Sequence, residues 1–184
     1  TNDNFSEIID SGIFSTDGNR DWPVKFEANG LTPGTNYFYR FLAGNEYSDI
    51  GKTKTLSEDS GEARFAVLSC ANFTNTEEFH TYGRVAFNNS IRPYDAAIFL
   101  GDYIYEYGAG GYTAAESNAD DRGFLPNNEL VSLSDYRTRY AQYHTDHNLR
   151  DMRSSVPLIA IWDDHETAND SWRDGAENHN PEEG

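Results

Sequence analysis

Three apolar runs punctuate the chain after residue 62, and each ends in polar, metal-competent residues. Residues 64–69 (RFAVLS) run into Cys70, residues 96–100 (AAIFL) into Gly101 and Asp102, and residues 156–161 (VPLIAI) into Trp162, Asp163, Asp164, His165 and Glu166. A short run that is apolar at every position predicts a strand buried on both faces, as in parallel sheets. Between the first two runs, Phe79, Tyr82, Val85, Ala86 and Phe87 predict a helix over 77–91, with Gly83 weakening its stripe. Strand, helix and strand in that order predict a right-handed βαβ crossover. Leu133, Tyr136, Tyr140 and Tyr143 are spaced three, four and three, which predicts a second helix with its aromatic face on the sheet and Ser134 as N-cap. A shorter helix carries Leu149 and Met152, and Pro157 opens the third strand.

Residues 1–57 follow a different rule, with β signals only. A short strand is predicted over 24–28. The Pro33-Gly34 turn precedes a strand in which Tyr37, Tyr39 and Phe41 share one face by period two. Leu31-Thr32-Pro33-Gly34-Thr35-Asn36-Tyr37 has the spacing of a tyrosine corner, in which a phenol bonds back to nearby backbone. Residues 48–55 read as a last strand. The pattern resembles the late strands of a fibronectin III or immunoglobulin-like sandwich; a generic meander is the other reading. Such a sandwich takes about 100 residues, so the chain is expected to enter it after its first strands. The polar stretch 56–62 marks the boundary, giving domains 1–57 and 62–184. The Gly-rich, acidic stretch 108–128 is too long for an ordinary connection and reads as a rim or lid over a site, or as a surface insertion.

Charge changes the picture. Lys and Arg number 14 against 31 Asp and Glu, a net charge of −17. That balance disfavours nucleic acid as a bound partner and suits metal cations, although solubility alone explains bulk acidity equally well. Cys70 is the one cysteine, so no internal disulfide forms. No apolar run is long enough for a transmembrane segment, and no signal peptide is present in this stretch.

The chemistry gathers at the strand exits. A carboxylate just past the carboxyl end of a buried strand lies where open α/β sheets hold ligands. Tyr105 follows Asp102 by three residues, so one turn of chain brings its phenol beside the carboxylate. A phenol with an ordinary pKa of about 10 is held as phenolate only by a strongly polarising cation, which favours iron over magnesium. Cys70 reads as a small buried hydrophobe or, from its place at a matching exit, as a thiolate ligand. In the Asp163–Glu166 run, one carboxylate on a metal and a free histidine would suit hydrolysis. Cys70 with His165 and Asp164 also permits a cysteine hydrolase, and the acidic loop permits a non-enzymatic calcium-binding module.

LSCAN, FLGDYIYEYG, LSDYRTRYAQYHTD and IAIWDDHETAND together resemble the alkaline phosphatase D (PhoD) family of metallophosphatases, and GLTPGTNYFYRF followed by SDIGKTKTL resembles that family's small N-terminal β-domain. The resemblance implies the N-terminal half of an α/β (α+β) catalytic domain, a metallophosphatase-type β-sandwich flanked by helices. It implies hydrolysis of phosphomonoesters and phosphodiesters by a metal-activated water at a site with ferric iron (Fe3+) and calcium (Ca2+). Cys70, Asp102 and Tyr105 would bind iron, with Asp102 bridging to calcium. Asp164 stands where related metallophosphatases have an Asn ligand, and His165 matches their catalytic histidine. Asp163, Glu166 and Asn169 are weaker correspondences. Further ligands are expected from the C-terminal half of the catalytic domain, so this stretch alone is expected to be inactive or unstable. The expected partner is a phosphoester substrate of open identity, nucleic acid entering only as one such class. Family members are exported, which implies a secreted, periplasmic or cell-surface location.

Overall fold

The computed structural model describes residues 2–58, 61–74, 77–111 and 122–177. The chain divides into two compact units, Thr1–Ala63 and Arg64–Gly184.

In the first unit, β1 (Asn36–Tyr39) pairs antiparallel with β4 (Gly51–Lys54), Tyr37 lying opposite Thr53. A second ladder joins β2 (Leu42–Ala43) to β3 (Glu46–Tyr47). This hairpin turns at Gly44, whose φ of 62° is a left-handed conformation that glycine adopts without strain. The buried Tyr37 hydroxyl accepts the Thr32 amide at 2.7 Å, the backbone bond that the Leu-x-Pro-x-Thr-x-Tyr spacing predicts. Tyr39 and Phe41 meet edge to face at 6.0 Å but remain exposed, unlike Tyr37. Residues 24–28 are not a strand, correcting the sequence expectation: Val24 and Phe26 are exposed and the segment has no ladder partner among the described residues.

The second unit is built on a parallel sheet in the order β5 (Phe65–Leu68), β6 (Ala96–Phe99), β7 (Leu158–Ala160). Leu68 lies opposite Phe99, and Phe99 opposite Ala160, so the three strands end level with one another. Helices α1 (His80–Ile91) and α3 (His147–Ser155) pack against each other. Tyr82, Val85, Leu149, Met152 and Val156 join Ala66, Ala97 and Phe99 in one core. The outer strands β5 and β7 are not buried on both faces, contrary to what their apolar composition predicts, whereas central β6 is, with Ala96, Ala97 and Phe99 buried and Ile98 half-buried. Val67 is 60% and Ile159 59% exposed, because side chains alternate and only one face is covered among the described residues.

The helices differ from expectation in detail. α1 begins at His80, three residues late, where the Asp146 carboxylate takes the Phe79 amide at 3.0 Å. Its buried stripe is Tyr82, Val85 and Asn89, while Phe87 points outward. The cap of α2 (Leu133–Tyr143) is Ser132 rather than Ser134. Ser132 Oγ accepts the Asp135 amide and the Asp135 carboxylate accepts the Ser132 amide, a reciprocal pair that Ser134 is too far along to make. The aromatic face does reach the core: Tyr143 is fully buried against Phe73 and Phe79, and Tyr140 stacks on Tyr103 at 6.0 Å. Leu133, in the first turn, is exposed.

Two buried charges tie these elements together. Asp146 caps α3 through the Leu149 amide at 3.0 Å, holds the Phe79 amide, and pairs with Arg122 at 3.0 Å. Arg139 on α2 has no exposure; it donates to the carbonyls of Tyr105, Tyr107, Leu125 and Pro126 and lies over the Phe124 ring at 4.2 Å. Burial lowers its pKa only to about 10, so it stays charged at neutral pH. Within the expected rim 108–128, residues 112–121 lie outside the described residues. No helix among the described residues is long and apolar enough to cross a membrane.

Candidate metal centre

Because the strands end level, their exits meet. The ladder continues past β5 and β6, with the Cys70 amide donating to Gly101 O at 3.2 Å and the Ala71 amide to Asp102 O at 2.9 Å. On the other side the Gly101 backbone touches the β7 exit. A Cβ on Gly101 would lie 2.5 Å from Asp163 N and 2.9 Å from its Cα, and Gly101 has φ 106°. Only glycine fits there. Cys70 and Asp102 are themselves left-handed, at φ 57° and 56°. Each costs about 1–3 kcal/mol of backbone strain, which surrounding contacts must hold in place.

Asp102 is the centre of the cluster. Its Oδ2 accepts from Cys70 Sγ at 3.2 Å and from the Tyr105 hydroxyl at 3.3 Å. Asp102, Asp164 and His165 each offer a ligand atom, all within 4.8 Å of one another. The structure therefore brings Cys70, Asp102, Tyr105, Asp164 and His165 to one edge of the sheet. The neighbouring acids do other work. Glu166 accepts the amides of Asp102 (3.2 Å), Tyr103 and Asp163 (2.7 Å), lacing the β6 and β7 exits together. The Asp163 side chain is not in the cluster, and Asn169 gives its amide to Glu106 Oε1 at 2.7 Å.

Residues 65–184 match the PhoD-like phosphatase family, and residues 1–57 match the PhoD-like phosphatase N-terminal domain. The chain belongs to the PhoD-like phosphatase family. It is 35% identical over 170 residues to alkaline phosphatase D of Bacillus subtilis (strain 168), a match covering 91% of this chain and 28% of that protein. It also superposes on a solved structure titled "Structure of PhoD" with a TM-score of 0.78 and 35% identity, covering 89% of this chain and 30% of that one. The chain thus spans less than a third of the length of either relative.

The PhoD-like cluster has the electrostatics of a cation site. Burial raises the Asp102 pKa, the nearby Asp164 and Asp163 charges add to the rise, and the Cys70 thiol and His165 oppose it. Burial also raises the Tyr105 phenol well above its usual value, and the Asp102 charge adds to it. Burial works against an ionised Asp164, yet its pKa is lowered by amides at Asp170 (2.6 Å) and His165 (2.9 Å) and by the His165 ring. Burial likewise opposes charge on His165, but the Glu106 carboxylate on Nδ1, with Asp102 and Asp164, outweighs it and raises the pKa. Asp102 Oδ1 is buried without a hydrogen-bond partner among the described residues. Such an atom costs about 1–3 kcal/mol unless something positive meets it. Thiol, phenol, carboxylates and an orphaned buried oxygen together fit a metal.

Sequence reading missed Glu106, although it is the one acid in the run Tyr103-Ile104-Tyr105-Glu106-Tyr107. Tyr103 is a packing residue, buried with its hydroxyl on His144 Nε2 at 3.1 Å. Tyr107 packs against the core and also stands beside the site, its ring 5.6 Å from that of His165.

Proposed function

We propose that the full-length protein is a metal-dependent phosphoester hydrolase. The observation that carries this reading is the convergence of Cys70, Asp102, Tyr105, Asp164 and His165 on one sheet edge, around a buried carboxylate oxygen with no partner among the described residues. Membership of the PhoD-like phosphatase family supports it independently.

Cys70, Asp102 and Tyr105 would hold ferric iron, since thiolate and phenolate suit a strongly polarising redox metal, and Asp102 and Asp164 would offer oxygen to calcium. Bound there, the cations would offset phosphate charge and lower the pKa of a water for in-line attack. Glu166 keeps the two strand exits at fixed spacing. His165 stands at the edge of the cluster to stabilise the phosphoryl group or protonate the leaving oxygen. An exported location is part of the same reading.

The observed pairing does not favour a thiol nucleophile: Cys70 Sγ donates to the Asp102 carboxylate rather than to the His165 ring. The test is elemental analysis of the full-length protein, with activity before and after chelation. Iron, calcium, a tyrosinate-to-iron absorption band lost in Tyr105→Phe, and hydrolysis abolished by chelator are the expected results. Activity that survives chelation but not thiol alkylation overturns the reading in favour of a cysteine hydrolase.

A further inference from the structure

A second group of metal-competent side chains gathers where helices α1 and α3 begin. The Glu78 carboxylate has an imidazole on each oxygen: His80 Nδ1 lies 2.9 Å from Oε1, and His147 Nε2 lies 3.1 Å from Oε2. His80 is the first residue of α1 and His147 the first of α3. None of the three belongs to the cluster at the strand exits.

The backbone beneath them is fixed. Buried Asp146 accepts the Phe79 amide, between Glu78 and His80, and the Leu149 amide of α3, each at 3.0 Å, and it pairs with Arg122. One carboxylate thus holds both helix starts. The helices touch again one turn on, where a Cβ on Gly83 would collide with the Asn148 side chain. The core therefore sets the spacing of the three donors, while their side chains stay open to water. His80 is 68% and His147 65% exposed, against 35% for Glu78. The fold does not require this arrangement, since exposed ion pairs contribute little to stability.

Two imidazole nitrogens and one carboxylate oxygen are the donor set of a three-ligand zinc site with its fourth position open. Ligand atoms about 2.0–2.1 Å from a tetrahedral ion lie about 3.3 Å from one another. The nitrogen–oxygen separations here fall only a few tenths of an ångström short of that. The rings stand on opposite oxygens, so an ion seated on the carboxylate draws both inward, a turn that exposed side chains make without moving backbone. Nitrogen donors select zinc and its neighbours over calcium and magnesium, which take oxygen. We propose that Glu78, His80 and His147 form a site for Zn2+, or a transition-metal dication of the same class, that staples the start of α1 to the start of α3. The proposal does not rest on the phosphoester hydrolase reading.

The experiment titrates Zn2+ and, separately, Ca2+ into the full-length protein as isolated, comparing wild type with His80→Ala, His147→Ala and Glu78→Gln by calorimetry. The three side chains lie at the surface, so the variants should keep the wild-type thermal midpoint without zinc. Wild type should take up one zinc per chain that Ca2+ does not replace. Each variant should bind that zinc more weakly by at least the about 10–100-fold that loss of a mere supporting partner costs a metal site. Excess Zn2+ should raise the thermal midpoint of wild type, because only the folded chain holds the donors together, and should leave the variants unmoved. Zinc uptake equal in wild type and all three variants overturns the proposal. Binding that survives removal of either histidine within threefold also overturns it, since a lone surface imidazole then accounts for the uptake.

Discussion

Gly101→Ala is the sharpest test of the convergent strand exits. The added Cβ would lie 2.5 Å from Asp163 N and closer still to Asp163 Cβ, where ordinary contact begins at 3.4 Å, so the β6 and β7 exits must part by at least 3.4 − 2.5 = 0.9 Å. Crowding of this kind costs about 1–3 kcal/mol, and holding an alanine at a positive φ adds about 1–3 kcal/mol. The combined loss is about 2–6 kcal/mol, or at least about 5 °C in thermal midpoint for a domain of this size. Displacing Asp102 from Asp163 and Asp164 by nearly 1 Å should also lower kcat/KM by about 100-fold. Calorimetry and steady-state kinetics on the full-length protein read both. Gly30→Ala isolates the backbone contribution, because Gly30 has φ 70° with nothing within 4 Å of its would-be Cβ. It should lose stability while activity holds. If Gly101→Ala keeps wild-type activity and melts within a degree of wild type, the exits do not meet as described.

Two further outcomes follow from the second unit. Ser132→Ala should cost about 1 kcal/mol by thermal unfolding, and Ser134→Ala less than about half that, since only Ser132 caps α2. Burial holds the His144 pKa at about 4 instead of 6.5, so the unfolded chain takes up a proton that the folded chain refuses. Stability is then full above pH 6.5 and falls as pH drops towards 4, by up to about 3 kcal/mol. His144→Gln should flatten that part of the midpoint-against-pH curve, and an unchanged acid limb would contradict the assignment.

The reach of sequence reading follows the range of the forces involved. The three strands, their polar exits and the Tyr37 corner were legible because apolar runs and turn residues act over a few neighbouring positions. The shift of the α2 cap from Ser134 to Ser132 shows the limit even locally, since two serines compete and the Asp135 carboxylate decides between them. Beyond that, chemistry in a line of residues does not say what each side chain faces. Asp164 and Glu166 carry the same charge two positions apart, yet one joins the ligand cluster and the other braces three amides. The left-handed turns at Cys70 and Asp102, the Glu106 carboxylate behind His165 and the Arg139 clamp are set by contacts with distant parts of the chain. Local pattern determined which residues stand at the ends of the strands. The parallel register and the packing between segments decided which of them meet, because a hydrogen-bond partner tens of residues away leaves no periodic trace in the chain.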